Sequence, residues 1–125
     1  MLRKGYVVYL LASFENDVIG TATLSSGGNS RYPFSTENDI ILGPYFVLPE
    51  YRRQGMASTM LNQCLAIYKG KVNKVFAHVY FKNLASINCL SKLGFHSNGN
   101  YMAKKFSHKL ALSGDGTLIL MEKNI

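Results

Sequence analysis

The feature that most constrains this chain is a junction between a strand and a helix near its middle. An apolar run that ends at Val47 leads into a turn with two arginines and a glycine, over residues 51–55, and a helical pattern begins directly after it. Such a junction leaves several backbone N–H groups without acceptors at the positive end of a helix dipole. It therefore predicts an anion site, and phosphate is the anion we expect there.

Length and composition indicate one folded domain over residues 1–125. The 125 residues suffice for one core, and the hydrophobic fraction of 47% favours folding over disorder. The 14 basic and 7 acidic side chains give a formal net charge of +7. That charge suits an anionic partner, such as a nucleotide cofactor, a nucleic acid or an acidic glycan, without selecting among them. A basic protein with a solvated surface is the alternative reading.

Cysteine spacing and hydropathy indicate the cellular compartment in which we expect the protein. Cys64 and Cys89 fall in predicted helices without CxxC or metal-like spacing, so we expect buried free thiols and no metal site. No apolar run approaches the ~20 residues that span a bilayer. A basic pair near the start precedes an apolar stretch, but polar residues interrupt that stretch, unlike in a signal peptide. We therefore expect a cytoplasmic protein without a membrane partner.

Residue periodicity predicts eight elements in the order β-β-β-α-β-α-β-β. The strands are recognised by β-branched and aromatic residues and the helices by apolar stripes at helical spacing. A polar loop over residues 25–38, which we expect to be mobile, joins the second and third strands, and a Ser-Gly-Asp-Gly turn at 113–116 joins the last two. The predicted strands are 6–14, 18–24, 39–48, 74–81, 101–112 and 117–123, and the helices are 56–69 and 84–93.

This order predicts the sheet topology. The third strand, the first helix and the fourth strand form a right-handed crossover, so these two strands are expected to be parallel neighbours. The remaining strands are expected to pair antiparallel. Gly43 and Pro44 lie inside the third strand and predict a bulge or a break in its pairing. The predicted fold class is α/β (α+β), with a mixed, mostly antiparallel twisted sheet around a central parallel pair.

Two motifs resemble those of one enzyme family. Residues 52–57 have the pattern Arg-x-x-Gly-x-Ala after a strand, which resembles the acyl-CoA-binding signature of the GNAT N-acetyltransferases. Residues 83–95 have Asn-x-x-Ser followed by Lys-Leu-Gly-Phe, which resembles the asparagine helix of that family. The resemblance covers residues 5–123. It implies an acyl-CoA N-acyltransferase fold with a V-shaped splay, and transfer of an acetyl group from acetyl-CoA to a primary amine by direct attack on the thioester.

The resemblance also implies where coenzyme A binds. The turn at residues 52–58 should hold the pyrophosphate, and the end of the third strand should bond the pantetheine amide through its backbone and polarise the thioester carbonyl. The start of the second helix should contact the cofactor arm. The implied cofactor-binding residues are Phe46, Val47, Arg52, Arg53, Gln54, Gly55, Met56, Ala57, Ser58, Asn83 and Ser86.

The catalytic candidates implied by the resemblance are His78 and Tyr80. In many family members the tyrosine seven residues after the asparagine acts as the general acid. This chain has Leu90 at that position, so solvent or another tyrosine is expected to serve as the acid. In relatives resembling the ribosomal-protein alanine acetyltransferases, a glutamate at the position of His78 acts as the general base. Imidazole titrates near neutral pH, so His78 could accept a proton in its place. Tyr80 shares the strand face of His78. A histidine with a purely structural role in the sheet is the alternative.

The acceptor site is the least defined part. Family members usually carry a strand and two helices before the first hairpin, and a short form, a fragment or a partner that supplies this wall would each account for their absence. An uncovered sheet edge at the first strand favours a homodimer. Tyr32, Phe34 and Glu37 in the loop, and Asp39 after it, are candidates for acceptor contacts or for plain loop roles.

Two other classes of function compete with catalysis. The aliphatic Leu90 and the short N-terminus favour a non-catalytic CoA-binding or regulatory module. A nucleic-acid partner is not expected, because the basic residues are dispersed and neither an RNP-like aromatic motif nor helix-turn-helix spacing occurs.

Overall fold

The predicted order of elements is confirmed. The computed structural model describes residues 5–13, 15–28, 32–102 and 118–125, with the backbone alone at residues 98–102. These residues form strands β1 to β6 and helices α1 and α2, with one 3₁₀ turn, Pro49–Tyr51, before α1. The bounds are β1 Tyr6–Ala12, β2 Val18–Ser26, β3 Asp39–Val47, α1 Met56–Tyr68, β4 Lys74–Tyr80, α2 Leu84–Lys92, β5 His96–Met102 and β6 Leu118–Asn124.

All six strands join one sheet in the order β1-β2-β3-β4-β6-β5. β3 and β4 run parallel, as the crossover through α1 requires, and every other neighbouring pair is antiparallel. The predicted fold class is therefore confirmed. β1 forms one edge of the sheet and exposes the apolar side chains of Tyr6, Val8 and Leu10. A homodimer through this edge stays a prediction.

The predicted bulge lies in the middle of β3. Ala22 of β2 faces Tyr45, and Leu24 faces Leu42, so that the single residue between them on β2 opposes both Gly43 and Pro44. The proline has no N–H to offer a neighbouring strand. Pairing between β3 and β4 extends from Asp39 only as far as Leu42. Beyond the bulge β3 follows β2 while β4 follows β6, which opens the V-shaped splay.

Both helices pack on one face of the sheet, which we call the helix face. The apolar stripe predicted for α1 is confirmed, because Met60, Leu61, Cys64, Leu65 and Tyr68 are all buried there. The hydroxyl of Tyr68 hydrogen-bonds that of Tyr9 at 2.6 Å and so ties α1 to β1. Cys64 is a buried thiol as expected, whereas Cys89 is only half-buried because its side of α2 faces an open groove.

The other side of the sheet, the open face, has a small cluster of its own. Ile41, Phe76 and Leu120 are buried there under the rings of Tyr32 and Phe34. The ring centroids of Phe34 and Phe76 lie 5.1 Å apart. The segment predicted as a polar loop therefore contributes aromatic packing. β2 also continues to residue 26, because its last residues pair with β3.

The fifth strand begins earlier than predicted. β5 starts at His96, opposite Glu122, and not at residue 101. Between the pairs Ser97–Met121 and Tyr101–Ile119, β5 holds two residues more than β6. The Asn-Gly-Asn run at residues 98–100 lies within this irregularity of the strand. The predicted turn at residues 113–116 lies outside the described residues.

Neither helix in the described part of the chain is long and apolar enough to cross a bilayer.

A buried carboxylate fastens the loop before β3 to the sheet. Asp39 is 5% exposed, and one of its oxygens accepts hydrogen bonds from the backbone N–H and the hydroxyl of Thr36, at 2.8 and 3.0 Å. The other oxygen accepts from the backbone N–H of Lys74 at 3.1 Å. Asp39 thus has the loop role that was the alternative to acceptor recognition.

Replacing Asp39 by alanine should destabilise the protein by about 3 kcal/mol, because two part-buried backbone N–H groups would lose the charged acceptor that this buried side chain provides. Urea unfolding measures this change. Asp17→Ala is the matched control, since Asp17 is exposed, and it should change stability by less than about 0.5 kcal/mol. Equal unfolding midpoints for the two variants would contradict this role of Asp39.

Candidate functional site

A groove of about 1160 Å³ opens where β3 and β4 diverge. Its walls are the end of β3, the turn before α1, the first turns of both helices and the end of β4. Most of the residues predicted for the site therefore meet in one place. Those that line the groove are Phe46, Val47, Arg52, Arg53, Ala57, Ser58, His78, Tyr80, Asn83 and Ser86. Gln54, Gly55 and Met56 lie between lining residues in the turn that leads into α1.

The turn before α1 presents a row of backbone donors. Arg53 and Gly55 have left-handed backbones, with φ of 63° and 74°. In the described part of the chain, the backbone N–H groups of residues 53–58 have no hydrogen-bond acceptor. A run of this kind at a helix start forms a concavity that binds anions. A non-glycine residue in the left-handed region costs of order 1 kcal/mol, and such strain is typical of functional sites.

The charge of the groove matches these donors. The side chains of Arg52, Arg53 and Lys92 line it, and no carboxylate does so among the described residues. The Nε of Arg52 donates to the Val47 carbonyl at 2.8 Å, and its guanidinium lies 4.9 Å from the Phe46 ring centroid. This contact uses one of the three guanidinium nitrogens. The other two are available to a phosphate in the two-pronged geometry that arginine favours.

The end of β3 offers backbone groups to the groove. The N–H of Leu48 donates to the carbonyl of Ile19 at 2.8 Å, so the backbone of Leu48 points towards β2. Since alternate residues of a strand direct their polar backbone groups to opposite edges, Phe46 also points towards β2, while Tyr45 and Val47 point to the open edge. An extended ligand could pair with these two residues as an added strand does.

The start of α2 closes the groove on the helix face. The Asn83 side-chain oxygen accepts a hydrogen bond from the Ser86 N–H at 3.2 Å and caps the helix, which leaves its amide nitrogen for a ligand. The Ser86 hydroxyl hydrogen-bonds the hydroxyl of Tyr45. Further along α2, the Cys89 thiol lies 3.6 Å from the Ser58 hydroxyl of α1.

Tyr45 is a lining residue that sequence reasoning missed. Burial raises the pKa of its hydroxyl, and the hydrogen bond between Tyr45 and Ser86 only partly opposes that rise. The signal that could have revealed this residue is its position directly after the Gly43-Pro44 bulge, where β3 leaves β4. Leu90, in contrast, is fully buried in the core of the helix face.

His78 and Tyr80 lie on the open face, on the part of β4 that no longer pairs with β3. The half-buried ring of His78 packs against Tyr32 and Phe34, with centroids 6.2 and 5.3 Å away. The ring of Tyr80 packs edge-on against that of Phe81. Because its lining includes side chains of both faces, the groove passes through the splay from one face to the other.

Comparison with known proteins identifies the fold. The model of the acetyltransferase (GNAT) family matches residues 2–95. No curated protein sequence matches this chain significantly. The structure of the ribosomal-protein-S18-alanine N-acetyltransferase from Escherichia coli superposes with a TM-score of 0.72 at 20% identity, over 96% of this chain and 69% of that one.

Other solved structures agree. A chimeric spermidine N-acetyltransferase from Vibrio cholerae gives a TM-score of 0.73 at 17% identity, over 95% of this chain and 66% of its own. The ribosomal-protein-S5-alanine acetyltransferase from Vibrio fischeri gives 0.67 at 25% identity, over 88% and 56%. This chain thus spans about two thirds or less of the length of these similar structures. At such identities the likeness concerns the fold.

Proposed function

The chain belongs to the acetyltransferase (GNAT) family, and we propose that it transfers the acetyl group of acetyl-CoA to a primary amine by direct attack of that amine on the thioester. Acetyl-CoA is the acyl donor of the family. The observation that carries the proposal is the row of unsatisfied N–H groups at residues 53–58, set beside cationic side chains at one end of a groove.

The proposed cofactor site follows the groove. The N–H groups of residues 53–58 and the two arginines would hold the pyrophosphate, whose charge suits both the donors and the helix dipole. The pantetheine arm would then run back along the open edge of β3, where the backbone of Val47 can pair with its amide. Asn83 would donate its side-chain amide to the arm from the start of α2. The proposed cofactor residues are those implied by the family motifs: Phe46, Val47, Arg52, Arg53, Gln54, Gly55, Met56, Ala57, Ser58, Asn83 and Ser86.

This course brings the reacting end of the cofactor to the bulge. The strand runs from the bulge at Gly43-Pro44 towards the turn, so an arm that starts at the turn and follows the strand backwards ends where the splay begins. Bound there, acetyl-CoA supplies a thioester with an electrophilic carbonyl carbon and a thiolate leaving group. A backbone N–H at the open edge of β3 would polarise that carbonyl.

The amine would approach from the open face, because α1 and α2 cover the helix face. His78 lies on the open face beside the groove, and its neutral imidazole can accept the proton that the amine loses, directly or through a water molecule. Tyr80, on the same strand face, would assist in orienting the acceptor. The rings of Tyr32 and Phe34 would hold the imidazole in place.

A non-catalytic CoA-binding module is the second candidate function. The observation that favours it is the aliphatic, fully buried Leu90, since a leucine at that position of α2 offers the groove no proton donor. Release of free thiol from acetyl-CoA in the presence of a panel of primary amines separates the two candidates. Thiol release that depends on an amine supports the transferase, whereas tight CoA binding without such release supports the module.

Gly55→Glu should abolish CoA binding measured by calorimetry, because it sets a carboxylate among the phosphate donors. The control is Gly70→Glu. Both glycines are left-handed, with φ of 74° and 78°, and an added Cβ meets nothing within 4 Å at either. The free energy of unfolding should therefore fall by a similar amount in each variant, about 1–2 kcal/mol. Only Gly55→Glu should lose CoA, and equal affinities for CoA would overturn the proposed site.

His78→Ala should lower kcat at saturating acetyl-CoA by about 10²-fold, the usual effect of losing a general base. It should also remove the limb of the pH–rate profile near neutral pH, since no imidazole remains to be deprotonated there. His96→Ala is the control, because His96 is an exposed residue of β5. An unchanged pH profile in His78→Ala would show that His78 has only a structural role.

A further inference from the structure

The groove must supply a proton as well as remove one. When the C–S bond of the thioester breaks, the sulfur leaves as a thiolate, and a nearby acid speeds this step by protonating it. At the proposed end of the pantetheine arm, Tyr45 is the first residue after the bulge, and its side chain lies on the helix face. Its hydroxyl is held by that of Ser86, which reaches it from α2.

The other acidic groups of the groove are less well placed. Cys89 neighbours Tyr45, but its thiol also lies 3.6 Å from the Ser58 hydroxyl in the first turn of α1, on the side of the groove that leads to the phosphate end. His78 and Tyr80 lie on the opposite face of the sheet, where the amine would enter. Serine hydroxyls alone are too weakly acidic to protonate a thiolate. Among the described lining residues, Tyr45 therefore combines an acidic hydroxyl, the correct face and the correct end of the groove.

We propose that Tyr45 is the general acid of this transferase and that Ser86 positions its hydroxyl. The inference rests on the proposed function, because it presupposes a thioester at the bulge. It goes beyond that function by assigning the proton donor to β3 and not to α2.

The amine nitrogen bonds to the carbonyl carbon and gives up one proton to His78 or water, and the C–S bond breaks with its electron pair on sulfur. Tyr45 transfers its hydroxyl proton to that sulfur, giving free CoA thiol and a phenolate. The phenolate regains a proton from solvent, through the Ser86 hydroxyl, once the products leave.

The surroundings of Tyr45 keep it protonated in the ground state. Its pKa is raised by burial, and the neighbouring Cys89 adds to that rise, while the Ser86 hydrogen bond lowers it. The charged residues that line the same groove are Arg52, Arg53 and Lys92. Because the pKa of the phenol lies above its ordinary value of 10.0, the acid form persists through neutral pH and is lost only in the alkaline range.

Tyr45→Phe should lower kcat by about 10²-fold while leaving the affinity for CoA and the KM for acetyl-CoA unchanged. Tyr68→Phe is the matched control, because it also removes a tyrosine hydroxyl that is hydrogen-bonded to another hydroxyl, in this case that of Tyr9, but away from the groove. That control should keep the wild-type kcat. A Tyr45→Phe variant with the kcat of the control would overturn the role of Tyr45.

The pH profile distinguishes an acid from a packing residue. Fluorinated tyrosine at position 45 has a more acidic phenol, so the alkaline limb of the plot of kcat against pH should move to lower pH. Ser86→Ala, which removes only the positioning hydroxyl, should lower kcat less than Tyr45→Phe does. An alkaline limb at the same pH as in the wild-type protein would contradict the role of Tyr45 as the acid. If wild-type protein binds CoA but releases no thiol with any amine, the transferase proposal itself fails, whereas wild-type turnover with an unaffected Tyr45→Phe rejects the assignment of Tyr45 alone.

Discussion

One extra residue in β3 determines the rest of the site. The bulge at Gly43-Pro44 ends the pairing between β3 and β4 after Leu42, and the two strands then follow different neighbours. Without it the parallel pair would continue, and its backbone groups would satisfy one another. With it, β3 gains an open edge, and a groove passes between the two faces of the sheet. Every group that we assign to the chemistry borders that opening.

The two ends of the groove differ in their chemistry. At one end the left-handed residues Arg53 and Gly55 aim unsatisfied donors outward, where an anion can bind. At the other end the walls are the half-buried phenol of Tyr45 on the helix face and the imidazole of His78 under aromatic rings on the open face. An acid and a base on opposite faces can each serve one partner of an acyl transfer, because the acyl group would lie between them.

The sequence predicted the parts of the site that depend on local backbone chemistry. The strand, turn and helix around residues 47–57, and the bulge, follow from glycine, proline and apolar periodicity, which act over a few residues. The contact of Tyr45 with Ser86 joins residues 41 positions apart, so no local pattern could reveal it. The early start of β5 was missed for the same reason, because pairing with β6 overrides the turn propensity of an Asn-Gly-Asn run.

The most direct test of the central claim is an NMR titration of the backbone amides with CoA and, separately, with pantetheine, which lacks the phosphates. We expect the amides of residues 53–58 to shift with CoA but not with pantetheine, because their N–H groups bind the pyrophosphate. The amides of Tyr45 and Val47, at the open edge of β3, should shift with both. Amides at residues 53–58 that stay unchanged at saturating CoA would contradict the proposed phosphate site.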